Sequence, residues 1–184
     1  MDNSISLQRR AGFTLVELVV TIAIAGILIA LAAPSFVTTT QKMRALGEAN
    51  GFANDLQFAR SEAIKRGQPV SLCVSSNGTS CLTTGTWQQG WIVFADPLGD
   101  LTVSAATTLR VQKSWIGSDT FKDLVAPSTA TSSITFSREG FLAGSTAIVL
   151  ALHTTPSNSA ATQCVELKRT GRQRVLSNGV GSCT

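Results

Sequence analysis

Four cationic side chains lie close together near the C-terminal end of the sequence, in the stretch ELKRTGRQRVL at residues 166–176. They are Lys168, Arg169, Arg172 and Arg174. Residues 164–184 set these four against Glu166 alone, so this segment carries +3 of the chain's net charge of +4. Guanidinium and ammonium groups bind phosphate oxygens through charge-assisted hydrogen bonds. Such a cluster is therefore suited to a ligand that carries phosphate groups.

A hairpin is the element that would hold these cations in one place. Gly171 permits a turn, with Lys168 and Arg169 on the incoming limb. Arg172 and Arg174 are two residues apart, so in an extended strand they project from the same face. The competing interpretation is a solvated strand edge, where charges prevent pairing with the strands of other molecules. Charge alone does not separate these two interpretations.

The other end of the chain begins with an apolar run of membrane length. Residues 13–34 contain little that is polar apart from Glu17. As a helix rising about 1.5 Å per residue, they are long enough to cross a bilayer. Arg9 and Arg10 precede the run and favour a cytoplasmic N-terminus. We therefore predict a single transmembrane helix over residues 13–34 and a periplasmic or extracellular domain over residues 35–184.

Glu17 needs a partner, because a carboxylate in hydrocarbon costs about 2.5 kcal/mol or more. Cleavage after Gly12 would create an α-amino cation at Phe13, four residues before Glu17. That amine could neutralise the carboxylate within one chain or between neighbouring copies. The alternative is a secretory signal peptide, cut at the small-x-small site Ala30-Leu31-Ala32, which would release a soluble domain. The apolar run is longer than the usual core of such a peptide, about 7 to 15 residues.

This N-terminal stretch resembles the class III signal of type IV pilins and pseudopilins. Gly12 precedes the cut, Phe13 becomes the N-methylated first residue, Glu17 follows four residues later, and Pro34 ends the apolar run. The resemblance implies that a prepilin peptidase removes residues 1–12 as a leader. It also implies a bacterial inner-membrane location before assembly, then the pilus or cell surface. Other minor and major pilins are the implied partners, with Glu17 serving assembly.

A helical pattern resumes after Pro34, which is expected to kink the helix without ending it. Small and apolar residues recur there at spacings of three and four, on one helical face. They are Ala45, Ala49, Phe52, Leu56, Ala59 and Ala63. Gly67 and Pro69 form a stop signal. We therefore predict one long helix from about Phe13 to Arg66.

Charged residues near the end of this helix are interpreted as its solvated face, not as a functional patch. They are Arg60, Glu62, Lys65 and Arg66. The surrounding stretch FARSEAIKRGQPVSLC, residues 58–73, resembles the corresponding segment of the FimT/GspH family, a subgroup of minor pilins and pseudopilins.

Beyond Gly67, short apolar and alternating stretches predict β-strands. They cover residues 70–74, 91–94, 109–115, 134–136 and 147–152. The predicted fold class is α+β, with a long N-terminal helix packed on an antiparallel β-sheet that is either single or split in two. The resemblance to type IV pilins implies the same architecture.

Four cysteines fall into two sequence-local pairs. Cys73 and Cys81 flank a tight-turn signal in VSSNGTS, so a disulfide between them would close a hairpin. A disulfide between Cys164 and Cys183 would tie the last segment back on itself, which is worth about 3 kcal/mol. The other pairings remain possible. An even cysteine count behind a membrane-targeting segment favours an oxidising compartment.

No arrangement of residues in the sequence favours an enzyme. His153 is the only histidine, and the serines are scattered. The cysteine spacings do not fit a zinc site, and the glycine-rich piece SNGVGSC lacks the helix that follows a phosphate-binding loop. We expect no catalytic residues, no cofactor and no metal.

Resemblance favours the ligand-binding interpretation of the cationic segment. GRQR, residues 171–174, matches the GRxR motif of FimT-like minor pilins, which bind DNA during natural transformation. The match implies non-specific binding of double-stranded DNA by Lys168, Arg169, Arg172 and Arg174, for DNA uptake. No aromatic residue is interleaved with these cations, so we expect contacts to the duplex backbone and no base stacking. The alternative is a structural minor pilin, or a minor pseudopilin of type II secretion, without DNA binding.

Overall fold

The computed structural model describes residues 12–114, 119–123, 131–144 and 146–183. One long helix, α1, spans Leu15–Arg66. The strands of the described residues are β1 Val70–Val74, β2 Gly90–Ala95, β3 Thr108–Lys113, β4 Thr120–Asp123, β5 Ser133–Phe136, β6 Ile148–His153, β7 Gln163–Leu167 and β8 Gln173–Ser177. The leader residues 1–11 and the last residue of the predicted strand 109–115 lie outside the described residues.

The chain divides into two compact units, Met1–Val37 and Thr38–Thr184. In the first unit, the large apolar side chains of α1 are exposed. By length and composition, no single helix of the described residues can cross a membrane alone, whereas the bent pair Leu15–Leu31 and Ser35–Arg66 together could.

In the second unit, the predicted apolar stripe of α1 is buried as expected. Its members, from Ala45 to Ala63, are at most 1% exposed. Four of the six are alanines, whose short side chains let the helix backbone approach the sheets closely. The helix ends as predicted at Gly67, whose φ of +63° suits a residue without a Cβ.

The strands of this unit form two four-stranded antiparallel sheets, ordered β3-β2-β1-β5 and β4-β6-β7-β8. The division of the sheet, left open by the sequence, is therefore real. Strand β4 was not predicted, because its four residues, TFKD, are too few to show a period.

A single hydrophobic core joins α1 to one face of each sheet. Leu72 and Trp91 reach it from the first sheet, and Leu152 and Val165 reach it from the second. Successive residues of a strand point to opposite faces, so each sheet also has an outer face with a small cluster of its own.

Each outer cluster includes a disulfide, and the four cysteines form the two sequence-local pairs. Cys73 and Cys81 are joined on the outer face of the first sheet. Cys164 and Cys183 are joined on the outer face of the second, where they pack with Leu176. The second bridge fastens the C-terminal residues over β7 and β8, at the end of the hairpin away from its turn.

Candidate nucleic-acid interface

Strands β7 and β8 form the hairpin that the sequence predicts around the cationic segment. Glu166 pairs with Arg174, and Leu167 pairs with Gln173. The turn between the strands is closed by two backbone hydrogen bonds. The Lys168 N–H donates to the Arg172 carbonyl at 2.9 Å, and the Gly171 N–H donates to the Lys168 carbonyl at 2.8 Å. We call residues 168–174 the cationic tip.

All four cationic side chains of this tip are exposed. Within the described part of the chain, none of the four forms an ion pair or a side-chain hydrogen bond. The nearest acid in the ladder is Glu166, opposite Arg174, and its Oε1 accepts a hydrogen bond from Ser182 Oγ at 3.2 Å. The tip therefore carries four positive charges whose hydrogen-bonding capacity is available to a ligand.

Arg172 and Arg174 belong to the outer face of the second sheet. Residues of β8 alternate, so Arg174 shares its face with buried Leu176, while Val175 packs on the core shared with α1. Arg172 directly precedes the strand and continues the same alternation. The expectation that these two guanidinium groups project together agrees with the register of the hairpin.

Gly171 is the point at which the tip is seated on the rest of the unit. It is buried and has a φ of +75°. A Cβ at this position would collide with the carbonyl oxygen of Gly140, and it would lie 2.9 Å from Arg60 Nε. Because only glycine fits both the backbone angle and the space, the glycine of GRQR is a packing requirement.

Arg60 and the turn after β5 contact the tip and support it. Arg60 Nε donates to the Gly140 carbonyl at 3.0 Å, so α1 is bonded to the backbone that touches Gly171. The Leu142 N–H donates to the Arg169 carbonyl at 3.0 Å. The tip is thus held by α1 and by residues 137–142, in addition to its own strands.

The charged end of α1 differs from the predicted solvated face. Glu62 is buried, not exposed, and accepts hydrogen bonds from Arg66 Nε at 2.7 Å and Lys65 Nζ at 3.4 Å. The Arg66 hydrogen bond, against the effect of burial, lowers the pKa of Glu62. Arg60 is half-buried and braces the tip. The interpretation was wrong for these two residues, because Arg60 is bonded to the turn after β5, and Glu62 is bonded to Arg66 and Lys65 of its own helix.

An exposed aromatic ring lies beside the tip, although none is near it in sequence. Phe141 is 52% exposed, and both of its chain neighbours touch the tip: Gly140 meets Gly171, and Leu142 bonds to Arg169. A cavity of about 430 Å³ is lined by Phe141, Leu142, Arg169 and Thr170. Thirty residues separate Phe141 from Gly171 in the chain, so no local sequence signal could place it here.

Other arginines of the second unit are paired with buried acids that connect different elements. Asp55 on α1 accepts a hydrogen bond from Trp91 Nε1 at 2.8 Å and one from Arg110 of β3. Arg44 on α1 binds both carboxylate oxygens of Asp119, at 2.7 and 2.8 Å. These ion pairs join the helix to β3 and to the residue before β4.

Glu48 lies near the second of these pairs. Its Oε2 is enclosed and has no hydrogen-bond partner among the described residues, although the side chain as a whole is partly exposed. Burial and, to a smaller extent, the charge of Asp119 raise the pKa of Glu48 to about 7, although Arg44 opposes both effects.

At the N-terminus, the predicted processing residues precede the helix. Gly12 and Phe13 are exposed, and α1 begins at Leu15, two residues after the predicted start. The Glu17 N–H donates to Thr14 Oγ1 at 3.2 Å, so Thr14 caps the helix. The sequence TLVE carries the signal for such a cap, a threonine with glutamate three residues later, which the sequence interpretation did not use.

An apolar N-terminal helix that continues onto two antiparallel sheets defines the class of type IV pilins and pseudopilins. The model for the prokaryotic N-terminal methylation motif, the signature of that class, matches residues 7–33. The model for the type II transport protein GspH matches residues 48–171, two thirds of the chain. The chain therefore belongs to the GspH family, and its N-terminus carries the methylation motif.

Solved structures of a minor pilin and a minor pseudopilin share the fold. The type IV minor pilin FimU of Pseudomonas aeruginosa PAO1 is 19% identical, with a TM-score of 0.60 over 79% of this chain and 95% of FimU. The minor pseudopilin EpsH of the Vibrio cholerae type 2 secretion system is 13% identical, with a TM-score of 0.51 over 73% of this chain and 98% of EpsH. Among curated proteins, none matches the sequence.

Proposed function

We propose that this minor pilin binds double-stranded DNA without sequence preference through its cationic tip, and that it serves DNA uptake in natural transformation together with type IV pilus assembly. The observation that carries the proposal is the set of four exposed cations with no protein partner among the described residues. Elsewhere in the same unit, four arginines are paired with acids: Arg44, Arg66, Arg110 and Arg138. A cluster left open in this way is suited to phosphate oxygens.

The support of the tip adds to this argument. Gly171, Gly140 and Arg60 fix the turn against α1, and the Cys164–Cys183 bridge closes the other end of the hairpin. A preorganised site loses less conformational entropy when it binds, so even a few phosphate contacts can give measurable affinity.

The salt dependence of DNA binding tests the proposal. The full chain, purified in a non-ionic detergent, is titrated into a short blunt duplex in gel-shift assays at several salt concentrations. If all four cations contact phosphates, the slope of log K against log salt is about −3.6, and the affinity is independent of DNA sequence. A slope near zero, or no shift at the lowest salt, would refute the proposal.

A matched pair of variants assigns the binding to the tip. Arg172→Gln/Arg174→Gln should reduce the slope to about −1.8 and lower the affinity at least about tenfold at moderate salt. Lys42→Gln/Lys113→Gln removes the same charge from exposed positions outside the tip and should change the slope little. Equal losses in both variants would show that net charge, and not this site, controls binding.

A second candidate function is that of a structural minor pilin or type II secretion pseudopilin without DNA binding. It is favoured by the position of β8 at the edge of its sheet, where charged side chains protect against unwanted strand pairing. Under this alternative, Arg172→Gln/Arg174→Gln leaves DNA affinity unchanged but promotes self-association, which analytical ultracentrifugation would detect. Deletion of the gene would then abolish piliation or secretion without a specific loss of DNA uptake.

We also infer that a prepilin peptidase cuts after Gly12 and that Phe13 is then N-methylated, with Glu17 serving assembly in the filament core. The inferred path is insertion in the inner membrane as a single span over residues 13–34, with residues 35–184 in the periplasm until assembly. The match to the methylation motif and the exposed apolar helix support this. Mass spectrometry of the mature protein tests this, because a mass that includes residues 1–12 would refute the cleavage.

A further inference from the structure

Phe141 is placed at the cationic tip by contacts on both sides of it. The Ser137 N–H donates to the Phe141 carbonyl at 2.8 Å, so the backbone of the turn is fixed. Gly140 before it meets Gly171, and Leu142 after it bonds to Arg169. The ring therefore has a defined position, yet about half of its surface faces solvent. Exposing an aromatic ring on an ordered turn forgoes the stabilisation that burial would give.

The cavity beside Phe141 combines an apolar wall with a cationic rim. Phe141 and Leu142 supply the apolar surface, while Arg169 and Thr170 belong to the tip. At about 430 Å³ it has room for a planar ring system. Lys168 and Arg172 extend the positive charge along the same turn. An occupant that satisfies both parts joins a flat apolar group to phosphates, which describes a nucleotide in a DNA strand.

We infer that this cavity holds an unstacked base of single-stranded DNA against the ring of Phe141, while the cations of the tip bind the adjoining phosphates. The inference rests on the proposed DNA-binding function and goes beyond it, and it replaces the expectation, drawn from the sequence alone, that no base stacks at this site. A paired base in a continuous duplex is stacked on both sides and cannot enter, whereas a single strand or a single-stranded tail presents free bases. The site therefore takes single-stranded ends in preference to blunt duplex. An apolar peptide side chain is the competing occupant, but it leaves the surrounding cations without anions.

The experiment compares two DNA probes on the same variants of the full chain. One probe is a blunt duplex, and the other is the same duplex with a single-stranded tail that carries 2-aminopurine. Phe141→Ala should lower affinity for the tailed probe about tenfold and leave affinity for the blunt probe within about twofold. Phe141→Trp should retain or increase affinity for the tailed probe, because tryptophan offers a larger stacking surface. In the wild type, binding should change the 2-aminopurine fluorescence, and in Phe141→Ala that change should disappear.

Leu98→Ala is the matched control, because Leu98 is an 82% exposed apolar residue on a separate loop. It should bind both probes as the wild type does. If Phe141→Ala binds the tailed probe normally, the base-binding inference is wrong while the proposed duplex binding stands. If Phe141→Ala loses both probes equally, the ring supports the tip and does not contact a base, which also overturns the inference. If Arg172→Gln/Arg174→Gln retains both affinities, the proposed function itself fails.

Discussion

The arginines of the helix–sheet contacts and the arginines of the cationic tip are chemically identical but have opposite surroundings. Arg44 and Arg110 each meet a buried carboxylate, Asp119 and Asp55, on another element of the unit. The arginines of the tip are exposed and have no carboxylate within ion-pair distance among the described residues. The difference lies in the acids: each arginine of the first group has one within ion-pair distance, whereas Glu166, opposite Arg174 in the ladder, accepts a hydrogen bond from Ser182 and forms no ion pair with the tip. An arginine's role in this protein is thus decided by whether the fold provides a buried acid.

This contrast separates stability from binding. Removing one member of a buried ion pair leaves the other uncompensated, which is costly. Removing an exposed, unpaired cation leaves no uncompensated charge in the protein. We therefore expect substitutions in the first group to change unfolding, and substitutions in the second to change DNA affinity. The following predictions test that separation, from the largest expected change in the free energy of unfolding to the smallest.

Asp55→Ala should be the most destabilising change, by about 3 kcal/mol, because it removes an acceptor shared by Trp91 and Arg110. Thermal unfolding followed by circular dichroism measures the effect. Affinity for blunt duplex should stay within about twofold of wild type, since Asp55 is not part of the tip. Asp100→Ala, in an exposed loop, is the control and should change stability little. A stable Asp55→Ala protein would show that the buried ion pair is not structural.

Gly171→Ala should destabilise by about 2 kcal/mol and also weaken DNA binding, although it removes no charge. The new Cβ would require the turn to move away from Gly140, which displaces the cations. Gly179→Ala is the matched control, because Gly179 has a similar φ of +78° but open space around it. It should cost only about 1 kcal/mol and leave DNA affinity unchanged. If both variants lose the same stability and keep the same DNA affinity, the contact of Gly171 with Gly140 does not position the tip.

Glu48→Gln should remove a pH dependence of stability. In the folded state burial raises the pKa of Glu48 to about 7, above the ordinary value of 4.5. The folded state therefore holds the proton more tightly, so the free energy of unfolding is highest below about pH 4.5 and falls as the pH rises through about 7. Allowing for solvent screening, the variant should be about 1.5 kcal/mol more stable than wild type at about pH 8 and equal to it at about pH 4.5. Denaturation curves of both proteins at both pH values measure this difference. The same difference in the free energy of unfolding at both pH values would contradict the prediction.

Arg172→Gln/Arg174→Gln should have the smallest effect on stability, within about 0.5 kcal/mol, while causing the largest loss of DNA affinity. Neither guanidinium group has an ion-pair partner in the described structure, so their loss leaves no buried charge. The measurement is the unfolding temperature of the variant used in the gel-shift experiment. A fall of several degrees in the unfolding temperature would show that these arginines stabilise the hairpin. The arginines of the tip would then not differ from the ion-paired arginines in their effect on stability.

The sequence predicted the features that depend on local spacing. The helical stripe from Ala45 to Ala63, the end of α1 at Gly67 and the hairpin around Gly171 are each encoded within a few turns or strands. The two disulfides also join cysteines close in sequence. Periodicity and turn chemistry act over this range, which explains why these expectations were met.

The contacts that support the tip could not be predicted in the same way. Arg60 reaches Gly140, 80 residues later. Phe141 follows β5 of the first sheet, and the tip follows β7 of the second. The two turns meet because both sheets pack on the same helix. Arg60 and Glu62 are charged residues of the kind found on a solvated helix face, so the sequence pattern does not show that they are buried. Their burial depends on contacts that form only in the folded chain. Long-range packing decides these positions, and a single sequence does not record it.

The two fastenings of the β7–β8 hairpin also determine its response to mechanical force. Gly171 seats its turn against Gly140 and Arg60, and a covalent bridge between Cys164 and Cys183 closes its far end. A pull on the turn along the strands moves β7 and β8 the same way, so the hydrogen bonds that resist it are those between β7 and β6, which are loaded together in shear. The contact of Gly171 with Gly140, and through it the hydrogen bond from Arg60, carries part of the same load to α1.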